Sequence, residues 1–280
     1  VTLHELLRCI RDETREILAS GGSDRVDSLQ LPEFAPLLSA ALDARTAHGA
    51  PGMLPDEEKI LRGTLESTCL SPVAGSRELD KFVRESVRAG CRAVCVLPCH
   101  VGRVKKLLEG HETLLVTVAA FPLGGSDTAV KIHETSRAVS QGSDEVDFVA
   151  NLSWLKEGNL IPFSDEIVRV KEAAGPGKRV KVILETGLLS DAELVRGAIV
   201  ASLAGSDFVK TSTGFGPRGV NPRDVALLAE VLGSRTGIKA SGGVRTREQA
   251  RELIARGASR IGTSSALSIL RAPAADMSHE

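Results

Sequence analysis

The sequence predicts an α/β protein, a (β/α)8 TIM barrel with an N-terminal helical extension. Three observations predict it. From Gly63 onward, short β-rich runs alternate with longer amphipathic runs. The alternation closes at eight units over roughly 210 residues, the length of such a barrel. Several strand runs carry charge at Asp147, Lys181, Lys210 and Lys239. A parallel sheet sandwiched between helix layers would be apolar on both faces there.

Residues 1–62 read as the extension. Leu3, Leu6, Leu7 and Ile10 recur at helical spacing, and Ile17 with Leu18 prolong the pattern. Gly21-Gly22-Ser23-Asp24 breaks that helix. A second helical run, 32–47, stops at Gly49-Ala50-Pro51-Gly52, and a short polar third spans 56–62. With no strand signal and no catalytic constellation, the extension is expected to cover the barrel bottom or to form a homodimer contact.

The barrel domain is 63–272. Its strand runs are 64–70, 93–97, 114–120, 145–150, 179–185, 208–211, 237–240 and 260–263. The helical runs that follow them are 77–89, 101–109, 127–141, 164–174, 191–204, 222–232, 247–256 and 265–270. Residues 273–280 are expected to be a disordered tail.

Composition limits the function. The chain has 280 residues with a net charge of −1, 7 Phe, 1 Trp and no Tyr. Near-neutrality argues against nucleic acid and anionic membrane as partners, and so few rings argue against stacking platforms. No apolar run reaches membrane-spanning length, and the first residues lack an apolar signal core. Five unspaced cysteines read as reduced thiols in the cytoplasm. Cys91, Cys95 and Cys99, with His100, do not have zinc-knuckle spacing, so they are not expected to hold a metal; the chain is expected to use no cofactor. His133 and the Lys105-Lys106 pair read as helix surface, and Trp154 as packing in the loop after strand four.

In a barrel, alternate strand residues point inward and the reactive groups sit at the strands' C-terminal ends. If Val146 and Phe148 face the helices, then Glu145, Asp147 and Val149 face inward. The same parity turns Lys181, Ile183, Glu185, Lys210 and Lys239 inward, and also Thr64, Glu66 and Thr68. Lys210 and Lys239 lie on neighbouring strands. Two ammonium groups ~5 Å apart at an effective dielectric of ~20 repel by ~3 kcal/mol, roughly two pK units. A free lysine is neutral in about one molecule in 2,500 at pH 7, and lowering its pKa to about 8 makes roughly a tenth of it neutral, ~200-fold more nucleophile. This is how a Schiff-base lysine is prepared, with Asp147 available for proton transfer directly or through a water. The competing reading pairs each lysine with an interior acid. Lys181, ~13 Å deeper than Glu185 along its strand, reads as such a structural ion pair.

The turns after strands six and seven read Ser212-Thr213-Gly214-Phe215-Gly216 and Ser241-Gly242-Gly243-Val244. Strand eight ends in Gly262-Thr263-Ser264-Ser265 and opens a helix. Backbone N–H groups in such turns approach an anion closely, in the common phosphate position of this fold.

The runs DEVDFV (144–149), VKVILETGLL (180–189), DFVKTSTGFG (207–216), IKASGGVRT (238–246) and GASRIGTSS (257–265) resemble the 2-deoxyribose-5-phosphate aldolase family. AFPLGGSDTAVKIHE (120–134) and AVCVLPCHV (93–101) extend the resemblance to roughly residues 63–270. It implies a metal-independent class I aldolase that reversibly cleaves 2-deoxy-D-ribose 5-phosphate to D-glyceraldehyde 3-phosphate and acetaldehyde. Lys210 would be the Schiff-base lysine, Lys239 the lysine that depresses its pKa, and Asp147 the proton-relay acid. Gly214, Gly242, Gly243, Ser264 and Ser265 would hold the phosphate. Glu66, Thr68, Cys95 and Thr213 complete the substrate- and phosphate-binding set, Cys95 as a small residue of the barrel interior. The first strand departs from the family's usual I-D-H-T-L-L-K-P. Glu66 and Ser67 replace aspartate and histidine, and the longer Glu66 moves its carboxylate by ~1.5 Å, enough to disturb a tuned relay. Leu97 stands where the family commonly has asparagine. These departures motivate two alternatives, an aldolase-type lyase with a diverged carbonyl substrate and a non-catalytic ligand-binding barrel.

Overall fold

A computed structural model describes residues 56–271 together with Arg8, Asp12, Thr14, Arg15, Glu16 and Ala19, all six helical. The helical run predicted over 32–47 and the tail over 273–280 lie outside the described residues.

Helix α1 (Glu57–Thr64) leads into β1 (Leu65–Cys69), and the chain then alternates. In order follow α2 (Ser76–Arg88), β2 (Ala93–Val96), α3 (Val101–Leu107), β3 (Leu114–Ala119), α4 (Thr128–Ser140) and β4 (Glu145–Val149). After β4 come α5 (Leu152–Glu157), α6 (Leu160–Ala174), β5 (Arg179–Ile183), α7 (Asp191–Leu203), β6 (Phe208–Lys210) and α8 (Pro222–Leu232). The chain continues through β7 (Gly237–Ser241), α9 (Arg247–Ala255), β8 (Arg260–Thr263) and α10 (Ala266–Arg271). All eight strands pair in parallel, and β8 returns to β1 to close the barrel.

Side-chain alternation divides each strand between two environments. Val146, Phe148, Val180, Val182, Val209, Ile238 and Ile261 face outward into one apolar cluster with helix residues such as Ile167 and Leu227. Glu66, Glu145, Asp147, Lys181, Lys210, Lys239 and Arg260 are buried in the polar interior. Helix starts are set locally. Ser190 with Glu193, and Thr246 with Gln249, form capping boxes, and Asn221 accepts the Asp224 N–H at 2.7 Å ahead of Pro222. Helix α1 is tied to the start of α9 by a buried pair, Arg247 Nε to Glu57 Oε1 at 2.6 Å.

Three expectations need correction. Thr64 is not an inward strand residue: it ends α1, where its hydroxyl donates to the Ile60 carbonyl. Glu185 does not belong to β5, which stops at Ile183. It turns into the left-handed region at φ 47°, and its carboxylate meets Thr213 after β6 instead of joining the interior charges. Trp154 is not in a loop: Asn151 accepts from the Ser153 and Trp154 N–H groups and starts α5 there.

Phe148 is fully buried between the barrel and its helices. Phe148→Ala should cost about 3–5 kcal/mol, read as a lower urea midpoint with an unchanged denaturant slope.

Candidate active site

The charged interior forms a closed ring. On β4, Asp147 presents two oxygens. Oδ1 accepts from Lys181 Nζ of β5 at 2.8 Å, and Oδ2 accepts from Lys239 Nζ of β7 at 2.6 Å. Lys239 also donates to Glu66 of β1. The other Glu66 oxygen accepts from Arg260 of β8 at 3.0 Å, and Arg260 reaches Glu145 at 3.2 Å. Glu145 meets Lys181 at 2.6 Å, which completes the circuit. Three carboxylates and three cations cancel. Lys210 of β6 hangs on this ring through one bond, Nζ to Asp147 Oδ2 at 3.0 Å, and brings a seventh charge with no counterion of its own.

The titrations follow that placement. Burial would raise the pKa of Asp147, but Lys181, Lys239 and Lys210 hold it well below the usual carboxylate range. Glu66 is lowered in the same way, its burial overcome by Lys181, Lys239 and Arg260. Burial opposes the charge on Lys239, yet Asp147 and Glu66 keep it protonated, above its ordinary value. In Lys210 the balance reverses. Burial lowers it, and Asp147, which pulls upward, does not offset burial together with the push of Lys239 beside it, so it titrates below an ordinary lysine. Lys181 carries a raised pKa, because Asp147 and Glu66 outweigh its burial.

Above the ring lies a cavity of about 440 Å³. Lys210 and Lys239 form its floor, and Thr68, Thr213, Gly214, Gly242, Gly243 and Ser264 line its walls. Asp147, Glu66 and Cys95 lie beneath the cavity surface, sealed from solvent. The Cys95 thiol is pushed up to about 11 by its burial. Ser265 stands just outside the lining, its N–H bound to Thr263 Oγ1 at 2.9 Å. Gly242, at φ 99°, is needed for close approach: a Cβ there would stand 3.2 Å from Gly219 Cα.

Parity reasoning leaves three contributors unassigned and misplaces a fourth, Glu185. Arg260 begins a strand run and its inward parity was readable, but its partners lie on distant strands. Phe121, whose ring centroid lies 5.7 Å from Lys210 Nζ, and the cavity-lining Arg245 sit in loops without periodicity. Glu185 accepts the Thr213 N–H at 3.0 Å and the Thr213 hydroxyl, bracing the turn after β6. Among the described residues, no group of three His, Cys, Asp or Glu could hold a metal ion, and no helix is long and apolar enough to cross a membrane.

Asp147→Asn leaves three ammonium groups short of a partner and should cost about 3–5 kcal/mol at neutral pH. A carboxylate with a lowered folded pKa stabilises the fold above its unfolded value of about 3.9 and loses that contribution as pH falls toward the folded one. The stability gap between wild type and Asp147→Asn should therefore narrow below about pH 4 in urea titrations.

Comparison with known proteins gives the family. Residues 66–272 match the family model described as DeoC/LacD family aldolase. A deoxyribose-phosphate aldolase from Streptococcus pneumoniae is 43% identical over 212 residues, 76% of this chain and 96% of that enzyme. One from Clostridium perfringens is 39% identical over 223 residues, 80% of this chain and all of the relative. The solved tetrameric deoxyribose phosphate aldolase from Aeropyrum pernix superposes with a TM-score of 0.71 at 34% identity, covering 83% of this chain and 94% of that one. With its family match across most of the barrel and these relatives, this chain belongs to the DeoC/LacD aldolase family.

Proposed function

We propose that the protein is a class I aldolase that reversibly cleaves 2-deoxy-D-ribose 5-phosphate to D-glyceraldehyde 3-phosphate and acetaldehyde, with Lys210 as the imine-forming residue. The observation that carries the reading is one carboxylate oxygen, Asp147 Oδ2, shared by Lys210 and Lys239 at the cavity floor. Of the two, only Lys210 titrates below its ordinary value, so it is the amine that loses its proton and attacks.

In that reading the neutral Lys210 Nζ adds to the C1 carbonyl of the open-chain sugar. Loss of water gives an iminium, which withdraws electrons from the C2–C3 bond. A base takes the proton of the C3 hydroxyl, and C2–C3 breaks into glyceraldehyde 3-phosphate and an enamine. Protonation at C2 and hydrolysis release acetaldehyde and restore Lys210. Asp147 carries these protons between the lysine and the reacting centre, directly or through a water. So acidic a carboxylate is a weak base, and its role is to pass protons rather than to retain them. Lys239 stays charged and disfavours the ammonium form of Lys210. Backbone N–H groups of Gly214, Gly242 and Gly243, with the Ser264 hydroxyl, hold the phosphate. Thr68 and Thr213 border the sugar chain. Glu66 acts through Lys239, and Cys95 fills the floor as an un-ionised thiol. Residues 1–62 take no part in this chemistry.

Acetaldehyde with cyanoborohydride should leave one ethyl group on Lys210, increasingly so as pH rises, with a half-point below that of free lysine. Lys210→Met should abolish the adduct and lower cleavage by several orders of magnitude while the fold persists. An unchanged intact mass in the trapped wild type would overturn the imine. An adduct without sugar-phosphate cleavage would overturn the substrate alone.

Gly262 tests the second lysine. A Cβ there would stand 2.9 Å from Lys239 Cε and 3.0 Å from Ser241 Cβ. Gly262→Ala should displace Lys239 and reduce kcat by about ten- to a hundredfold, the scale of sub-ångström to ångström misplacement.

A further inference from the structure

Helix α4 lies outside the barrel wall, yet two of its charged side chains reach strand ends. Residues 131 and 134 share one helix face. Lys131 is completely buried. Its Nζ donates to the Val149 carbonyl at 2.9 Å and pairs with Glu166 of α6 at 2.9 Å. Glu166 in turn accepts the Asn151 N–H at 2.8 Å. A buried pair of this kind gains little over apolar residues of similar volume. What it does here is pin α4 to the end of β4, two residues beyond Asp147.

On that anchored helix, half-buried Glu134 accepts the Ala120 N–H at 2.6 Å. Ala120, the residue after β3, sits at φ 50°, a conformation that costs a non-glycine residue about 1–3 kcal/mol and persists only when its surroundings enforce it. The next residue is Phe121. Its ring lies 5.7 Å from Lys210 Nζ and meets Phe215 edge-on at 5.5 Å.

We propose that Glu134 is a positioning residue for the reactive lysine, holding Phe121 over Lys210 from behind the barrel wall. The inference rests on Lys210 being the imine-forming lysine. Lys210 faces Asp147 from β4, Lys239 from β7 and Cys95 from β2, and Phe121 is the apolar surface against it. The ring acts in two opposed ways. It excludes water, which favours the neutral amine, and it attracts the ammonium. At 5.7 Å the attraction is near the ~6 Å limit of a useful cation–π contact, so water exclusion wins. Releasing Ala120 lets the ring swing away and lets water reach Nζ.

The test is the pH profile of acetaldehyde trapping on the full chain, with kcat and KM for 2-deoxyribose 5-phosphate, in wild type, Glu134→Ala and Glu134→Gln. Glu134→Ala should move the half-point of trapping up by about one pH unit and cut kcat at neutral pH by about tenfold. KM should stay within about twofold, because the phosphate turns follow β6, β7 and β8. Glu134→Gln, whose amide oxygen still accepts the Ala120 N–H, should restore both. A Glu134→Ala protein that melts earlier but keeps the wild-type half-point and kcat would overturn the proposal, as would failure of Glu134→Gln to rescue. No adduct on wild-type Lys210 would instead overturn the imine reading on which it rests.

Discussion

Six buried charges that cancel around a ring, with a seventh attached to only one of them, are what the rest of this structure serves. Isolated, each charge would be costly to bury, and removing one partner from such a set leaves another exposed to the full desolvation penalty. Closed into a circuit from Asp147 through Lys239, Glu66, Arg260, Glu145 and Lys181, they are mutually satisfied. Lys210 is the exception. It shares the Asp147 oxygen that Lys239 already occupies, so the low-dielectric interior works against its charge while sustaining its neighbours'. In the proposed reaction, reactivity is a local deficit of counter-charge, and a barrel is suited to creating one because many strands end around a single point.

The residues around the ends of the strands are divided. Leu70, Leu97 and Phe121 pack against the apolar cluster of β2 and β3 on one side, while the glycine turns after β6 and β7 open N–H groups on the other. Lys210 stands between them. That division suits a substrate with a phosphate at one end and a small apolar aldehyde fragment at the other. The turns are not left to their own flexibility. Glu185 holds Thr213, Arg218 pairs with Asp224 at 2.6 Å, and the Thr263 hydroxyl donates to the Val244 carbonyl at 2.6 Å. Gly242 and Gly262 keep the space those braces define by having no side chain to fill it.

The departures in the first strand also find a physical place. The longer Glu66 still meets Lys239 and Arg260 together, because Arg260 approaches it from β8 across the closing seam of the barrel. The extra methylene is absorbed beneath the cavity floor. Leu97 lies beyond the end of β2, on the apolar side of the mouth.

The sequence by itself determined the fold class and the sidedness of the strands. The count of eight β/α units and the two-residue alternation are local properties, and they sufficed to turn Asp147, Lys210, Lys239, Glu66 and Glu145 inward. The glycine turns were legible for the same reason, since a turn's backbone demands are written in adjacent residues. Tertiary structure alone decided which charges meet. Arg260 and Glu66 are 194 positions apart and become partners only when β8 closes on β1. Lys181 is remote when measured along its own strand toward Glu185, but its cross-strand neighbour is Asp147, and it joins the ring. Glu185 has inward parity, yet β5 ends two residues before it and a left-handed turn carries it to Thr213. Phe121 has no periodicity to betray it, because a helix on the far side of the wall sets its position. Periodicity reports on which face a side chain leaves its strand. The register of eight strands around a closed circle decides what it finds there.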